Sequence, residues 1–152
     1  MFTDQKGWAL HLDFHPGGNC IGVGTSDKKV KVFDVRMRKL QQLYSSHDDS
    51  VTQVREHRRR VPIRNASKYH SKFQVSFHPS GNFLASSSLD GSIKIFDLLE
   101  ARPVFDLLGH EKPVTAVAFS PKNGSTIASG GKDSLVFLWQ SNLKAWMTPE
   151  LH

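Results

Sequence analysis

Cysteine is nearly absent from this 152-residue sequence, where Cys20 stands alone. A single thiol excludes an intramolecular disulfide framework and a cysteine-rich zinc site, and it favours a reducing compartment over a secreted one. Long apolar runs are missing as well. No stretch approaches the length that spans a bilayer, so a membrane is not an expected partner. The opening residues, Met1-Phe2-Thr3-Asp4-Gln5-Lys6, lack the apolar stretch of a secretory signal, and a cytosolic or nuclear protein is expected. No segment repeats its apolar residues at a helical period. A phosphate loop with Gly-Lys-Ser/Thr is absent, and Gly22-Val23-Gly24-Thr25-Ser26-Asp27 has no third glycine and leads into a turn and a strand. Dinucleotide binding needs a helix there. The eight histidines form no pair with metal-ligand spacing and a supporting carboxylate. The sequence therefore predicts no catalytic residues, no metal and no cofactor, and a protein that is not an enzyme.

Charge is present in excess of one sign, but only locally. The net charge is +6, from 20 Lys and Arg against 14 Asp and Glu. Residues 54–74 hold seven of those cations, Arg55, Arg58, Arg59, Arg60, Arg64, Lys68 and Lys72, and one acid, Glu56. The other 131 residues balance at 13 of each sign. The basic character belongs to one segment, which is a candidate interaction loop for phosphate or for acidic protein surfaces.

An internal repeat organises the rest. Leu12-Asp13-Phe14-His15-Pro16-Gly17-Gly18, Val75-Ser76-Phe77-His78-Pro79-Ser80-Gly81 and Val117-Ala118-Phe119-Ser120-Pro121-Lys122-Asn123-Gly124 align. Each leads into an apolar strand (Cys20–Thr25, Phe83–Ser88, Thr126–Gly130). An Asp turn follows (Asp27, Asp90, Asp133), then a second strand (Val30–Asp34, Ile93–Asp97, Leu135–Trp139). From the Asp to Phe33, Phe96 or Trp139 the spacing is six residues in all three copies. Phe77 to Phe119 spans 42 residues and Phe14 to Phe77 spans 63, so removing the 21 residues of 54–74 restores a period of 42. Apolar and polar residues alternate, as in Ile93-Lys94-Ile95-Phe96, which is strand periodicity. Outer strands are expected at Lys39–Tyr44 and Pro103–Leu107, with only Lys144–Met147 available for the third copy. Four short strands per period of about 42 residues are the mark of a β-propeller blade. The expected fold is all-β, a partial propeller of three four-stranded antiparallel blades, the last one incomplete. The blades run over 1–46 (degenerate), 47–109 (with the basic insert) and 110–152 (with a short tail).

These segments resemble the WD-repeat family. In that family a His before the innermost strand, a Ser or Thr on the second strand, an Asp in the following turn and a Trp on the third strand form a buried hydrogen-bonded tetrad. The resemblance implies a complete tetrad in the third blade, His110, Ser129, Asp133 and Trp139. The second blade keeps three positions, His47, Ser86 and Asp90, with Phe96 in place of Trp. The first keeps only Asp27, with Gln5, Val23 and Phe33 elsewhere, so its network should be weak or absent. His110, Ser129 and Asp133 are also the residue types of a hydrolase triad, but their recurrence at blade spacing gives them a structural reading. His15 and His78, each before a Pro, read as turn residues. Arg36, Arg38 and Lys39 read as a solvated turn.

Within the family, Val30-Lys31-Val32-Phe33-Asp34-Val35-Arg36, Ser76-Phe77-His78-Pro79-Ser80-Gly81-Asn82-Phe83-Leu84, Ile93-Lys94-Ile95-Phe96-Asp97-Leu98-Leu99-Glu100 and Trp139-Gln140-Ser141-Asn142-Leu143 resemble the centriolar WD-repeat proteins. That likeness places the chain on the last three of about seven blades. It implies a protein-interaction scaffold of centrioles and basal bodies that serves centriole assembly or stability and cilium formation. The implied partners are centriolar proteins and tubulin, in the cytoplasm and its cytoskeleton, at the centrosome and the cilium base. The alternatives are a WD-repeat adaptor of a ubiquitin ligase or RNA-processing complex, and nucleic-acid binding through Arg55–Lys72.

The basic segment has a second reading, which the sequence favours. Gln53-Val54 recurs as Gln74-Val75, so deleting 54–74 rejoins Thr52-Gln53-Val75-Ser76-Phe77 into one strand. The codons CAG-GTA-AGA-GA fit Gln-Val-Arg-Glu and match a splice donor, and TTT-CAG fits Phe73-Gln74 and matches an acceptor. A translated short intron that keeps the reading frame would look like this. If the segment is present, the second blade should be weakened, with its inner strand starting near Phe73 or split by the loop. Propellers close with typically 4–8 blades, so three blades leave two open apolar faces. This chain is therefore expected to be a fragment of a longer protein and marginal in solution by itself.

Overall fold

The computed structural model describes residues 8–45, 74–122 and 124–140. They form three antiparallel sheets. The first holds β1 (Ala9–Phe14), β2 (Cys20–Thr25), β3 (Lys29–Asp34) and β4 (Lys39–Ser45), paired in chain order. The second repeats that order with β5 (Val75–Phe77), β6 (Phe83–Ser87), β7 (Ser92–Asp97) and β8 (Arg102–Leu108). The third comprises β9 (Val114–Phe119), β10 (Thr126–Gly131) and β11 (Val136–Gln140). Its expected fourth strand, Lys144–Met147, lies outside the described residues, as do His47 and the basic residues Arg55 to Lys72. Each middle and outer strand that can be compared falls within one residue of its sequence expectation. Period-two alternation specifies these strands, and Asp side chains fix their turns. Asp34 accepts the Met37 amide at 2.7 Å, and Asp97 accepts those of Leu99 and Glu100 at 2.7 and 3.0 Å. Capping by Asp across a tight turn is the mechanism that favours it there.

Strand register makes the three blades superposable. Leu12, Val75 and Val117 pair with Val23, Ser86 and Ser129, and Phe14, Phe77 and Phe119 pair with Ile21, Leu84 and Ile127. The phenylalanines that revealed the 42-residue period are thus one structural position. The second blade differs at its inner strand. β5 has three residues where β1 and β9 have six. β5 begins at Val75, close to the Phe73 start of one expected arrangement, whereas Val51–Val54, on which the other rests, lie outside the described residues. Gln74 already pairs, its carbonyl taking the Ser87 amide at 2.9 Å.

Each core lies between two sheets. Val30, Val32 and Tyr44 of the first blade pack on Val75, Phe77 and Phe96 of the second. Ile93, Ile95 and Phe83 of the second pack on Val117, Phe119 and Ile127 of the third. Burying one such side chain contributes about 1.5–3 kcal/mol. A polar plug accompanies each apolar layer. His15, in the turn after β1, reaches the second blade, its Nε2 lying 3.2 Å from the Gly81 carbonyl and its ring edge-on to Phe77 at 5.4 Å. His78, one period later, sits edge-on to Phe119 of the third blade at 5.1 Å and against Gly124. The reading of these histidines as turn residues was therefore incomplete. They close their own turns and also join neighbouring blades.

Both receiving glycines have left-handed backbones, φ +80° at Gly81 and +65° at Gly124. A Cβ there would lie 2.2 Å from His15 Nε2 or 1.8 Å from His78 Nε2, whereas Gly18, at φ +69°, has nothing within 4 Å. Alanine in left-handed backbone costs roughly 1–2 kcal/mol. Gly18→Ala should therefore lower unfolding free energy by about that amount, and Gly81→Ala and Gly124→Ala by clearly more. Urea unfolding of the three variants checks this, and equal losses would show that the histidines impose no constraint.

The His78 site also predicts a pH effect. Its Nδ1 accepts the Ser80 amide at 3.0 Å, and burial pushes the imidazole below its ordinary 6.5. A folded-state value below the unfolded one means that protons favour the unfolded chain. The neutral ring's contribution is complete above about 6.5 and shrinks as pH falls from there towards the folded-state value. Stability measured between pH 7 and 5 should decline less steeply in His78→Gln than in the parent; parallel curves would assign the acid sensitivity elsewhere.

Candidate functional site

A connected polar cluster lies in the third blade. His110 precedes β9, Ser129 lies in β10, Asp133 follows it in the turn and Trp139 stands on β11. Antiparallel register places Ser129 opposite Phe137 and Ile127 opposite Trp139, so Ser and Trp lie two rungs apart on the same face of the sheet. His110 Nδ1 lies 2.7 Å from Asp133 Oδ2, and its Nε2 lies 2.9 Å from Ser129 Oγ. Trp139 Nε1 donates to that same Oγ at 2.8 Å. A carboxylate can only accept, so Nδ1 carries the proton and Nε2 accepts from the serine hydroxyl. The Phe137 ring lies edge-on to His110 at 4.6 Å and holds it in place.

Desolvation pushes the Asp133 carboxyl upward, but the hydrogen bonds from His110 and the Leu135 amide outweigh it and hold the group below its ordinary 3.8. Its stabilising effect is thus present above that value and is lost as pH falls through the lower folded-state one.

The Ser–His–Asp connectivity matches that of a hydrolase triad, but its setting does not. Ser129 is 2% exposed and His110 8%. The serine oxygen already accepts the indole N–H. A nucleophile must reach a substrate carbonyl beside an oxyanion-stabilising donor, and this hydroxyl faces only its own partners. The tetrad ties the entry to β9 to the β10–β11 turn and to β11, which is work a fully satisfied buried network can do. Among the described residues, no three His, Cys, Asp or Glu side chains are grouped to hold a metal.

The other two blades show what replaces it. In the first, the Asp27 carboxylate takes the Thr25 hydroxyl, which also lies 2.9 Å from the Lys29 carbonyl, and the turn meets the β1 entry through Ser26 and Trp8, the Trp8 amide donating to Ser26 Oγ at 2.8 Å. Val23 occupies the serine position and Phe33 the tryptophan position. In the second, Ser86 is fully buried and Asp90 accepts from the Ser92 amide and hydroxyl at 2.8 and 2.6 Å. Phe96 fills the tryptophan place and packs against Tyr44, the rings tilted at 41° with centroids 4.7 Å apart. His47 falls outside the described residues, so the second tetrad is placed at Ser86 and Asp90 alone.

Sequence reasoning missed a second polar system along the inner strands. The Phe77 amide donates to Asp13 at 3.0 Å, and the Val75 amide points to His11 Nδ1 at 3.4 Å. One blade on, the Val117 amide donates to Gln74 Oε1 at 3.0 Å. His11 and Gln74 occupy equivalent positions, each one residue before Leu12 or Val75. Polar residues there satisfy the free strand edge of the next blade. The signal was visible in sequence only as a polar residue beside the repeat's first apolar one.

On the surface, Arg36, Arg38 and Lys39 are exposed around Met37 in the β3–β4 turn. Arg38 takes φ +53°, as Ala101 does at the same place in the second blade. The turn shape is therefore a property of the blade, and the cations are carried outward on it.

Two substitutions test the tetrad. Trp139→Phe keeps the ring but removes one of the partners of Ser129, and should cost about 1 kcal/mol in unfolding free energy. His110→Ala removes the centre of the network and should cost more, with the loss read by near-ultraviolet circular dichroism and thermal melting. An unchanged melting temperature in His110→Ala would show that the network is ornamental.

Comparison with known proteins agrees with this geometry. The WD domain, G-beta repeat family matches residues 2–34, 67–97 and 101–140, together more than half of the chain. Pre-mRNA-processing factor 19 of Oryza sativa subsp. japonica is 29% identical over 137 residues, covering 89% of this chain and 21% of that protein. A guanine nucleotide-binding protein subunit beta of Oryza sativa subsp. indica is 28% identical over 149 residues, 95% of this chain and 33% of the relative. WD repeat and HMG-box DNA-binding protein 1 of Mus musculus is 29% identical over 128 residues, 79% of this chain and 10% of the relative. The chain spans a tenth to a third of the length of these relatives. Three superposable antiparallel sheets, a complete tetrad in the third and these matches make the chain a member of the WD-repeat family.

Proposed function

We propose that this chain forms part of a protein-interaction scaffold of centrioles and basal bodies, acting in centriole assembly or stability and in cilium formation. One observation carries the scaffold half of the reading. The tetrad, which has the connectivity of a reactive site, is buried and used for packing, while the described turns carry exposed cationic and apolar side chains such as Arg36, Met37 and Arg38. Function on a blade framework resides in such turns, and contacts of this kind bind proteins without chemistry. The centriolar half is supported by the likeness of Val30–Arg36, Ser76–Leu84, Ile93–Glu100 and Trp139–Leu143 to that subfamily. Centriolar proteins and tubulin, whose tails are acidic, would be the partners, and the cationic turn suits them electrostatically.

A second reading is a general WD-repeat adaptor in an RNA-processing or ubiquitin-ligase assembly. It is favoured by the likeness to a pre-mRNA-processing factor. Imaging the tagged full-length gene product separates the two. Foci at centrioles and cilium bases are expected, and a diffuse or nuclear signal would favour the adaptor. Salt-sensitive RNA or DNA binding that disappears when residues 54–74 are deleted would favour neither, and would assign the activity to Arg55–Lys72.

A further inference from the structure

The turn between β3 and β4 carries charge that its surroundings leave unanswered. Residues 34–39 read Asp-Val-Arg-Met-Arg-Lys. Asp34 accepts the Met37 amide at 2.7 Å. Arg36, Arg38 and Lys39 are exposed, and none of the three makes an ion pair among the described residues. The equivalent turn of the second blade, between β7 and β8, answers its own charge, Arg102 Nε donating to Glu100 at 2.6 Å.

Apolar side chains accompany the cations. Met37 is 65% exposed and Val35 36%, and Leu99 of the second turn is 79% exposed. These exposures belong to the turns themselves. A neighbouring blade packs on a sheet face, whereas the turns leave at the strand ends. The second blade has a neighbour on each side, and its turn still exposes Leu99 and the Arg102 side chain, the latter at 61%.

The two turns are also held in a fixed relation. The Val35 and Leu98 amides donate to the Asn19 and Asn82 carbonyls, each at 2.9 Å, which ties each turn to the preceding hairpin of its own blade. β4, leaving the first turn, then reaches the second. Gln42 Nε2 donates to the Leu98 carbonyl at 2.7 Å, and the Tyr44 hydroxyl fixes that side chain by donating to Gln42 Oε1 at 2.6 Å. Leu99 follows directly on the clamped residue. A surface ordered beforehand in this way loses little freedom on binding.

We infer that these two turns together bind an extended acidic segment of a partner protein, with its carboxylates on Arg36, Arg38 and Lys39 and a large apolar side chain on Met37. The inference rests on the scaffold reading of the turns and adds the chemistry of the partner. Guanidinium groups pair with carboxylates through two parallel hydrogen bonds, and Arg and Met are both enriched at protein interfaces. Single-stranded nucleic acid is held by aromatic side chains beside the cations, and residues 34–39 and 97–102 contain no aromatic.

Fluorescence anisotropy on the 152-residue chain at low ionic strength tests this, with a labelled peptide in which glutamates flank a leucine. Binding is expected, and it should weaken as salt is added. R36Q/R38Q should lower the affinity about fivefold. M37S should lower it too, but leave the salt dependence of the parent. K28Q/K29Q removes as much charge from the β2–β3 turn and should leave the affinity unchanged. All three variants should keep the near-ultraviolet circular dichroism of the parent. R36Q/R38Q should have the same effect in a chain lacking residues 54–74. No binding by the parent would overturn the inference, as would equal losses in R36Q/R38Q and K28Q/K29Q. So would a loss on deleting 54–74 that R36Q/R38Q does not share, or single-stranded RNA binding at Arg36 and Arg38 in preference to the peptide. None of these outcomes depends on where the protein resides in the cell, so failure here is separable from failure of the centriolar reading, which imaging decides.

Discussion

Every sheet in this protein is apolar on the side it turns to a neighbour, and that constraint governs the rest. Val30 and Val32 share their cluster with Cys20 and Tyr44 of their own blade, and Val75, Phe77, Leu84 and Phe96 of the next blade complete it. The same holds for Ile93 and Ile95 against Val117 and Phe119. A blade is thus a repeat unit without a core of its own, and stability resides in the contacts between units. The conserved geometry of each blade follows from that dependence: Asp-capped turns and fixed register deliver the apolar pairs to the interface at the same height each time.

The polar groups are arranged to permit this packing. Burying strands on both sides leaves backbone edges and turn donors that need partners. The third blade meets the need with His110, Ser129, Asp133 and Trp139, a network that crosses the sheet from the β9 entry to β11. The first blade holds its turn with Thr25 and Asp27 and leaves β1 unbound by any tetrad. Between blades, Asp13 and Gln74 cap the next inner strand, and His15 and His78 plug the next turn. Side chains of catalytic type are here structural because each has its hydrogen-bonding capacity filled by the fold.

That inward use of polarity shapes the functional reading. A propeller blade contributes to binding through its turns, and here the turns differ between blades while the strands do not. The β3–β4 turn carries Arg36, Met37 and Arg38, and the β7–β8 turn carries Leu99 and an Arg102–Glu100 ion pair at 2.5 Å. One backbone shape thus displays different surfaces, which suits a scaffold whose partners are recognised by the turns.

The sequence alone was enough to determine the repeat, its period, the described middle and outer strands to within one residue and the tetrad of the third blade. These depend on local alternation and on residue types at fixed spacing, and both survive in a linear string. What the string could not hold was which blade each side chain serves. His15 and His78 read as turn residues because the turn is local, while Gly81 and Gly124, which receive them, lie a full period away. Asp13, His11 and Gln74 carried no motif, since a cap is defined by the strand edge opposite it in space. The tertiary structure also decided where β5 begins, at Val75 with Gln74 already paired. It made the difference between Phe14 and Phe77, each followed by His-Pro, one of exposure. The physical reason is the same in each case: a blade's neighbours are set by packing between repeats, and the sequence of one repeat does not contain them.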